Sequence, residues 1–342
     1  HLDYTMMRRG IRPQKTFAGW IARINGLKRS LDEDDYLAAI AAGFRELVRY
    51  GTTTVLNIES FPELMLRMPP PPIRAWWFYE LIDLRKRLTT DALVEGAFSF
   101  FEERPGWLGG SGLSPHAPYT ASDELYRLVN EYAAAHHVPL TTHIAESAEE
   151  DEMFRRGSGP LFDFLFSLGR NMDDCGHGSP LSRMLHEGLL DSNWIVAHLN
   201  ELDDADIAAL NSHPLHIVHC PRSHRYFGHH RFEFQRLHEA GANISLGTDS
   251  LASNDSLNLF AEMQEVEKSE SWMRPEDLLK TVTTNPARAL KMETKLGCLA
   301  PGAFADMIAL PFSEGSPFEQ IIHNQRPVNW MLVNGRPTRS AN

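Results

Sequence analysis

The feature that most constrains this chain is a series of short apolar runs, each of which ends in a histidine or an aspartate. Between residues 113 and 255 the pattern occurs in the segments LSPHAPY, PLTTHIAE, WIVAHLN, LHIVHCPRS and NISLGTDS. Short, apolar, β-branched runs of this kind are typical of buried parallel strands. A loop and a helical pattern follow each run, so the sequence predicts regular alternation of strand and helix.

The same alternation extends over most of the chain and predicts its fold. About eight strand–helix repeats over this length indicate an α/β chain folded as a (β/α)8 barrel. An open, doubly wound sheet is the competing arrangement, but no glycine-rich phosphate loop follows an early strand. We assign residues 1–292 to the barrel. Residues 293–342 contain glycine and proline turns and two strand-like runs, ADMIALP and NWMLVNGRP, and predict a small β-structure.

Composition limits the partners that the chain can have. The net charge is −12 and there is no long basic run, whereas nucleic-acid binding needs clustered lysine and arginine. No apolar run approaches the roughly 18 residues of a membrane span. The three cysteines form no C-x-x-C pair, so a reduced, cytoplasmic setting is expected. A small molecule is the expected partner, and a homodimer is left open.

The strand ends carry the side chains from which a site could be built. Polar residues at the carboxyl ends of parallel strands point into one mouth of a barrel. The residues at these positions are His116, His143, His198, His219 and Asp249. Imidazole and carboxylate ligands on a divalent metal commonly form a hydrolytic site.

Glu146 follows His143 by three residues and is predicted to begin the next loop. From that position its carboxylate can face the open end of the barrel and transfer a proton during hydrolysis. We interpret Glu149, Glu150 and Asp151 instead as acidic residues of a helix N-terminus, where they favour the helix dipole.

Taken together, these motifs resemble the amidohydrolase superfamily, in particular its cytosine-deaminase-like branch of deaminases and chlorohydrolases. The resemblance rests on PHAPYTAS, THIAES, VAHLNELDDADIAAL, HCPRSH and LGTDSLASNDSLNL, in that order along the chain. TNPARAL and GCLAPGAFADMIAL are similar to that branch's return to a β-sandwich. The resemblance covers nearly the whole chain. It implies a distorted TIM barrel followed by the C-terminal part of a composite β-sandwich.

The resemblance also implies a role for each candidate residue. His143 and Asp249 match metal ligands, and His1 matches the second histidine of an H-x-H motif on the first strand. Glu146 matches the proton shuttle. His198 matches the histidine that polarises the attacking water or contacts the metal, so Glu146, His198 and Asp249 are the expected catalytic residues. The positions that match substrate-contacting residues are His116, His219 and Arg222.

One divalent metal is implied, with Zn²⁺ expected and Fe²⁺ as the alternative. Binuclear members of the superfamily bridge two metals with a carboxylated lysine, but no lysine occurs here between Lys86 and Lys268. The first histidine of the H-x-H motif would lie two residues before His1. We therefore expect an N-terminally truncated barrel that lacks most of its first strand and binds metal poorly.

The predicted reaction is metal-dependent hydrolytic deamination of an aminated N-heterocycle, with release of ammonia. GSGPLFDFL and HGSPLSRMLHEGLL look most like the aminofutalosine deaminases, which favours a purine nucleoside-like substrate. Two alternatives are left open. One is a chlorohydrolase or amide hydrolase that acts on a triazine-like ring, and the other is a catalytically dead barrel kept for binding.

Overall fold

A curled sheet of parallel strands forms the centre of the molecule. The computed structural model describes residues 1–84, 89–103 and 106–338. Within that part of the chain the central sheet has seven strands, all parallel and in sequential order. The strands are β1 Thr54–Glu59, β2 Arg74–Leu81, β3 Gly109–Pro115, β4 Leu140–Ile144, β5 Trp194–His198, β6 His216–His219 and β7 Asn243–Leu246.

Helices surround this sheet, as the alternating pattern predicts. They are α1 Phe17–Lys28, α2 Glu33–Arg49, α3 Thr90–Glu103, α4 Asp123–His136, α5 Ala148–Arg156, α6 Pro160–Ser167, α7 Pro180–His186, α8 Asp204–Ser212, α9 Pro221–Phe227, α10 Phe234–Glu239, α11 Leu259–Ser269, α12 Pro275–Lys280, α13 Thr284–Ala289 and α14 Pro317–Ile322. Two 3₁₀ helices, Leu2–Met7 and Pro62–Arg67, complete the set among the described residues. None of the helices in this part of the chain has the length and apolarity needed to cross a bilayer.

Sequence signals account for the helix ends that frame the site. Asp32 caps α2 by accepting a hydrogen bond from the backbone N–H of Asp35 at 2.9 Å, and the Asp35 carboxylate accepts one from Asp32 at 3.1 Å. Such reciprocal capping satisfies N–H groups that the first helical turn leaves without partners. Ser122 caps α4 in the same position, with its hydroxyl accepting from Leu125. This cap sets the start of α4 at Asp123.

The curl of the sheet follows from the residues on its inner face. Trp76 and Phe78 alternate along β2 and pack in one buried cluster with Ile58 of β1, Ile195 of β5 and Val218 of β6. Strands that lie several places apart in the strand order can share a core only if the sheet curves back on itself. The structure therefore confirms the predicted α/β fold with a curled, TIM-like parallel sheet.

In the described chain, β1 and β7 are the sheet's two edges and do not pair with each other. The 3₁₀ helix Leu2–Met7 lies beside β1, where the backbone N–H of Leu2 donates to Asn57 Oδ1 at 2.8 Å. The Leu2 side chain packs with Phe44 and Leu47 of α2. Residues 2–7 thus form a helical turn that joins β1 to α2.

A second, smaller sheet forms near the C-terminus. It contains β8 Met307–Ala309, β9 Trp330–Val333 and β10 Arg336–Pro337, antiparallel in the order β10–β9–β8. Of the two predicted strand-like runs, ADMIALP contains β8 and NWMLVNGRP contains both β9 and β10. A buried ion pair joins this sheet to β2, with Arg74 Nε 3.0 Å from Asp306 Oδ2. The boundary at residue 292 stays a prediction, and residues 339–342 lie outside the described residues.

Candidate active site

The carboxyl ends of the strands open into a cleft with a cavity of about 940 Å³. The expected site residues that line it are His1, His116, His143, Glu146, His198 and Asp249. Four strands of the curled sheet, β3, β4, β5 and β7, end at these positions. The structure thus gathers six side chains that are spread over almost 250 positions of the sequence.

A hydrogen bond to the backbone at the end of the neighbouring strand holds the ring of His143 in one orientation. Its Nδ1 lies 2.8 Å from the carbonyl oxygen of His116, which can only accept. Nδ1 is therefore the donor and the lone pair of the neutral ring is on Nε2, the form in which an imidazole binds a metal. The ring centroids of His1 and His198 lie 5.5 and 5.4 Å from that of His143.

Beside His143, three donor side chains converge closely enough to hold one cation. One ligand atom each from Glu146, His198 and Asp249 lie within 4.8 Å of one another. His198 Nε2 lies 3.8 Å from Glu146 Oε1. Burial lowers the pKa of His198 to about 3. Burial, together with the charges of Asp249 and Glu150, raises the pKa of Glu146 well above its ordinary value.

Asp249 is fixed by three hydrogen bonds. Its Oδ2 accepts from the hydroxyls of Ser223 at 2.7 Å and Ser253 at 2.8 Å, and its Oδ1 accepts from the N–H of Ser250 at 2.7 Å. Burial acts to raise the pKa of Asp249, but His198 and these hydroxyls hold it below its ordinary value. The carboxylate therefore stays ionised. Sequence reasoning missed both serines, although they lie inside the HCPRSH and LGTDSLASN motifs.

Glu150 was interpreted from the sequence only as a helix N-terminal residue, and the structure adds a second role. The carboxylate is fully buried. It accepts hydrogen bonds from the backbone N–H groups of Ala145 at 3.1 Å and Glu146 at 2.8 Å. Glu150 thereby positions the loop that carries Glu146. The S-x-x-E spacing from Ser147, a capping-box signature, was the signal available in the sequence.

The loops at this end of the sheet contain strained backbone. Ala145, His198, Leu199 and Asp249 all have φ between 51° and 77°, the left-handed region that costs non-glycine residues roughly 1–3 kcal/mol each. The backbone N–H groups of Leu199 and Asn200 bond to the carbonyl oxygens of Ile144 and Ala145 at 3.0 and 2.9 Å. These bonds join the loops after β4 and β5, which helps to keep the strained geometry in place.

Two of the residues expected to contact the substrate, His219 and Arg222, lie outside the cleft. His219 does not line the cleft, and its ring stacks on Phe232 with the centroids 3.8 Å apart. Arg222 lines a separate cavity of about 350 Å³. Its guanidinium donates to Ser256 Oγ at 2.7 Å. Contact between these two side chains and a substrate stays a prediction.

One wall of the cleft is apolar and aromatic. Phe17, Trp20 and Ile21 of α1 line it and pack in one hydrophobic cluster with Phe164 and Leu165 of α6. Glu149 anchors α1, because its carboxylate oxygens accept from the N–H groups of Phe17 at 2.6 Å and Ala18 at 3.0 Å. This wall can bury an apolar portion of a ligand next to the charged centre.

The family comparison agrees with this geometry, since residues 1–336 match the model of the amidohydrolase family. The chain belongs to the amidohydrolase family. The superfamily resemblance seen in the motifs is thereby confirmed. Metal binding is expected of amidohydrolases, and the cluster of Glu146, His198 and Asp249 offers a possible site for a metal ion.

Curated relatives of this family member carry deaminase names. A 5-methylthioadenosine/S-adenosylhomocysteine deaminase of Pyrococcus furiosus is 27% identical over 358 residues, covering 98% of this chain and 80% of the relative. An aminodeoxyfutalosine deaminase of Deinococcus radiodurans is 32% identical over 244 residues, covering 66% of this chain and 57% of the relative. Among solved structures, a zinc-bound adenosine deaminase from Xanthomonas campestris has a TM-score of 0.82 at 22% identity. That match covers 98% of this chain and 77% of the solved one, and it shows a shared fold.

Proposed function

We propose that this amidohydrolase is an aminohydrolase that removes ammonia from a purine nucleoside-like substrate by adding water. The observation that carries the proposal is the convergence of Glu146, His198 and Asp249 in the cleft at the carboxyl ends of the strands. Burial raises the pKa of Glu146, whereas His198 and the hydroxyls of Ser223 and Ser253 hold the pKa of Asp249 low, which suits the two carboxyl groups to opposite steps of a proton transfer. The names of the curated relatives, deaminases of adenosine derivatives, support the same reaction and substrate class.

The donor set fits one divalent metal ion. We propose His1, His143 and Asp249 as its ligands, because Nε2 of His143 carries a free lone pair and the Asp249 carboxylate is ionised and buried. His1 Nδ1 is buried without a hydrogen-bond partner, as expected of a nitrogen that awaits a ligand. Nitrogen and oxygen donors of this kind suit Zn²⁺, with Fe²⁺ as the alternative. Such an ion would supply Lewis-acid activation of a water molecule near neutral pH.

The protein's own residues then divide the proton transfers. Glu146 has a raised pKa, so it can hold a proton near neutral pH and donate it to a ring nitrogen of the substrate. Asp249 remains ionised and can accept a proton from the attacking water. His198 is neutral and buried, which suits it to orient that water. Asp249 can then pass the proton taken from the water to the departing amine, which leaves as ammonia, and the remaining hydroxyl proton returns to Glu146, so that both carboxyl groups regain their starting states.

A substrate panel tests this proposal directly. Metal-loaded protein is assayed for ammonia release from adenosine, 5-methylthioadenosine, adenine and an amino-triazine. We expect the two nucleosides to have the highest kcat/KM. Turnover of the triazine alone would show a triazine hydrolase, and no turnover of any compound by metal-loaded protein would show a binding barrel.

We further propose a cytoplasmic location. The structure has Cys175, Cys220 and Cys298 as free thiols, which suits a reducing compartment. The homodimer stays a prediction.

A further inference from the structure

Glu262 is an acidic residue of α11 that the proposed chemistry does not use. Its side chain is fully buried and does not line the cleft. One carboxylate oxygen, Oε2, accepts a hydrogen bond from the backbone N–H of Arg222 at 3.0 Å. The other, Oε1, accepts one from Nδ2 of Asn254 at 2.8 Å. Glu262 therefore joins α11 to two separate segments, the first turn of α9 and the loop that follows β7.

Both of these donors need an acceptor, and neither can be exchanged for one. Arg222 is the second residue of α9, and an N–H group in a first helical turn has no acceptor within its own helix. Asn254 Oδ1 accepts from the backbone N–H of Asp255 at 2.7 Å, so Nδ2 must be the atom that faces Glu262. The second hydrogen of Nδ2 is donated to the carbonyl oxygen of Thr248 at 2.8 Å. The position therefore needs two acceptor oxygens, which a carboxylate provides and an amide does not.

The two segments held in this way carry the hydroxyls that fix Asp249. Ser223 directly follows Arg222, and Ser253 directly precedes Asn254. The two serine hydroxyls donate to Asp249 Oδ2 at 2.7 and 2.8 Å. Both serines are buried, so solvent is not at hand to replace a hydroxyl that moves away. A displacement of either segment would therefore be passed on to the carboxylate of Asp249.

We propose that Glu262 is a positioning residue for the reaction, which sets the orientation of Asp249 through Ser223 and Ser253. The inference rests on the proposed deaminase function and adds a residue that touches neither the substrate nor the reacting atoms. Asp249 depends on such support, because its φ of 53° lies in the left-handed region, where a non-glycine residue persists only if its surroundings hold it. Glu262 supplies that support from a third element, α11, which carries none of the proposed site residues.

The test makes one substitution in two backgrounds. Glu262→Gln is introduced into wild type and into a variant that carries both Ser223→Ala and Ser253→Ala, and steady-state kinetics are measured with adenosine on metal-loaded protein. In wild type we expect kcat to fall about tenfold with KM within about twofold, because one buried donor loses its acceptor. In the variant without the serine hydroxyls, the same substitution should lower kcat by less than about threefold, because the groups that it would displace are gone.

Glu267→Gln is the matched control, because Glu267 lies on the same helix and its carboxylate is 3.3 Å from His323 Nε2. We expect its kcat to stay within about twofold of the wild-type value. Urea unfolding shows whether each variant is folded. Should Glu262→Gln not fold, Asn254→Ala gives the same comparison with the same expected outcome, because it removes one of the two donors instead of the acceptor.

Two results would overturn the positioning role of Glu262. One is a folded Glu262→Gln protein of lower stability whose kcat equals that of wild type, which would make the residue purely structural. The other is an equal loss of kcat in the two backgrounds. If wild type deaminates no compound, the proposed function fails, and zinc affinity measured by competition with a chromogenic chelator still decides the role. Glu262→Gln should then weaken zinc binding about tenfold in wild type and less than about threefold without the serine hydroxyls, and unchanged affinity in wild type would refute the role.

Discussion

The carboxylate of Glu150 accepts a hydrogen bond from the backbone N–H of Glu146 at 2.8 Å, and both residues are buried. Its other oxygen accepts from Ala145, a residue with left-handed backbone. The buried carboxylate of Glu150 in α5 thus sets the position of Glu146, the proposed proton shuttle. The shuttle and the residue that positions it are four positions apart, so one short segment supplies both.

Replacing Glu150 by glutamine should impair the reaction without removing the metal. The amide keeps one acceptor oxygen but presents an NH₂ group to one of the two backbone N–H groups, so one hydrogen bond is lost. We expect kcat to fall about tenfold or more with KM nearly unchanged, and stability to fall by about 1–3 kcal/mol. Steady-state kinetics, metal analysis and urea unfolding measure these effects. Glu131→Gln, an exposed position on α4, is the control, and a change confined to stability would argue against a positioning role.

The Glu146→Gln variant should retain its metal and lose most of its turnover. Glutamine has nearly the same shape but cannot donate an acidic proton, and general acid–base catalysis contributes about 10²–10⁴-fold. Ammonia release and metal content are measured on the same preparation. A rate close to that of wild type would exclude Glu146 as the shuttle. Loss of metal together with activity would instead make it a ligand, which its position within 4.8 Å of His198 and Asp249 permits.

Metal binding should depend on His143 and Asp249. We expect His143→Ala and Asp249→Asn to lower the bound zinc per chain, because each removes one proposed ligand and metal affinity depends on the number of ligands. Dialysis against limiting zinc followed by elemental analysis gives the stoichiometry. His186→Ala removes an exposed histidine of α7 and serves as the control. Full zinc occupancy in either test variant would remove that residue from the ligand set.

The stability of the protein should fall with rising pH because of Glu262. Burial raises the pKa of this carboxyl from 4.5 to about 7. Between these values the folded protein holds a proton that the unfolded chain has released, so the free energy of unfolding decreases as pH rises. Glu262→Gln cannot ionise and should lose this dependence. Urea unfolding at pH 5 and pH 8 should show wild type losing roughly 2–3 kcal/mol more than the variant, and parallel losses would refute the assignment.

The elements that were predicted best are those whose signals are local. In α2, Leu37, Ile40, Phe44 and Leu47 repeat at helical spacing, and all of them except the half-buried Leu37 are buried. The β-branched run at residues 52–58 of the sequence predicts a strand, and the observed strand β1 is Thr54–Glu59, shifted by one or two residues. Periodicity reports which face of an element is buried, so it places elements well. It does not report the hydrogen bonds that end them, which explains the shifted boundaries.

The sequence predicted correctly that some of the candidate residues lie in the cleft, but not which of the strand-end side chains point away from it. His116, His143, Glu146 and Asp249 end in one cleft because strand polarity alone sends the ends of parallel strands to the same edge. His219 also ends a strand, but it stacks on Phe232 outside that cleft. Strand position therefore gives the edge of the sheet and not the direction of a side chain. That direction depends on packing partners that are distant in sequence.

The sequence by itself determined the alternation of strand and helix, the order of the motifs and the chemical types available at the strand ends. These properties depend on periodicity and residue identity, which are local. Only the tertiary structure decided which imidazole nitrogen of His143 carries the lone pair and that Glu150 positions Glu146. Each of these depends on a hydrogen bond or a backbone angle set by a neighbouring element, and no pattern within a single segment records such a contact.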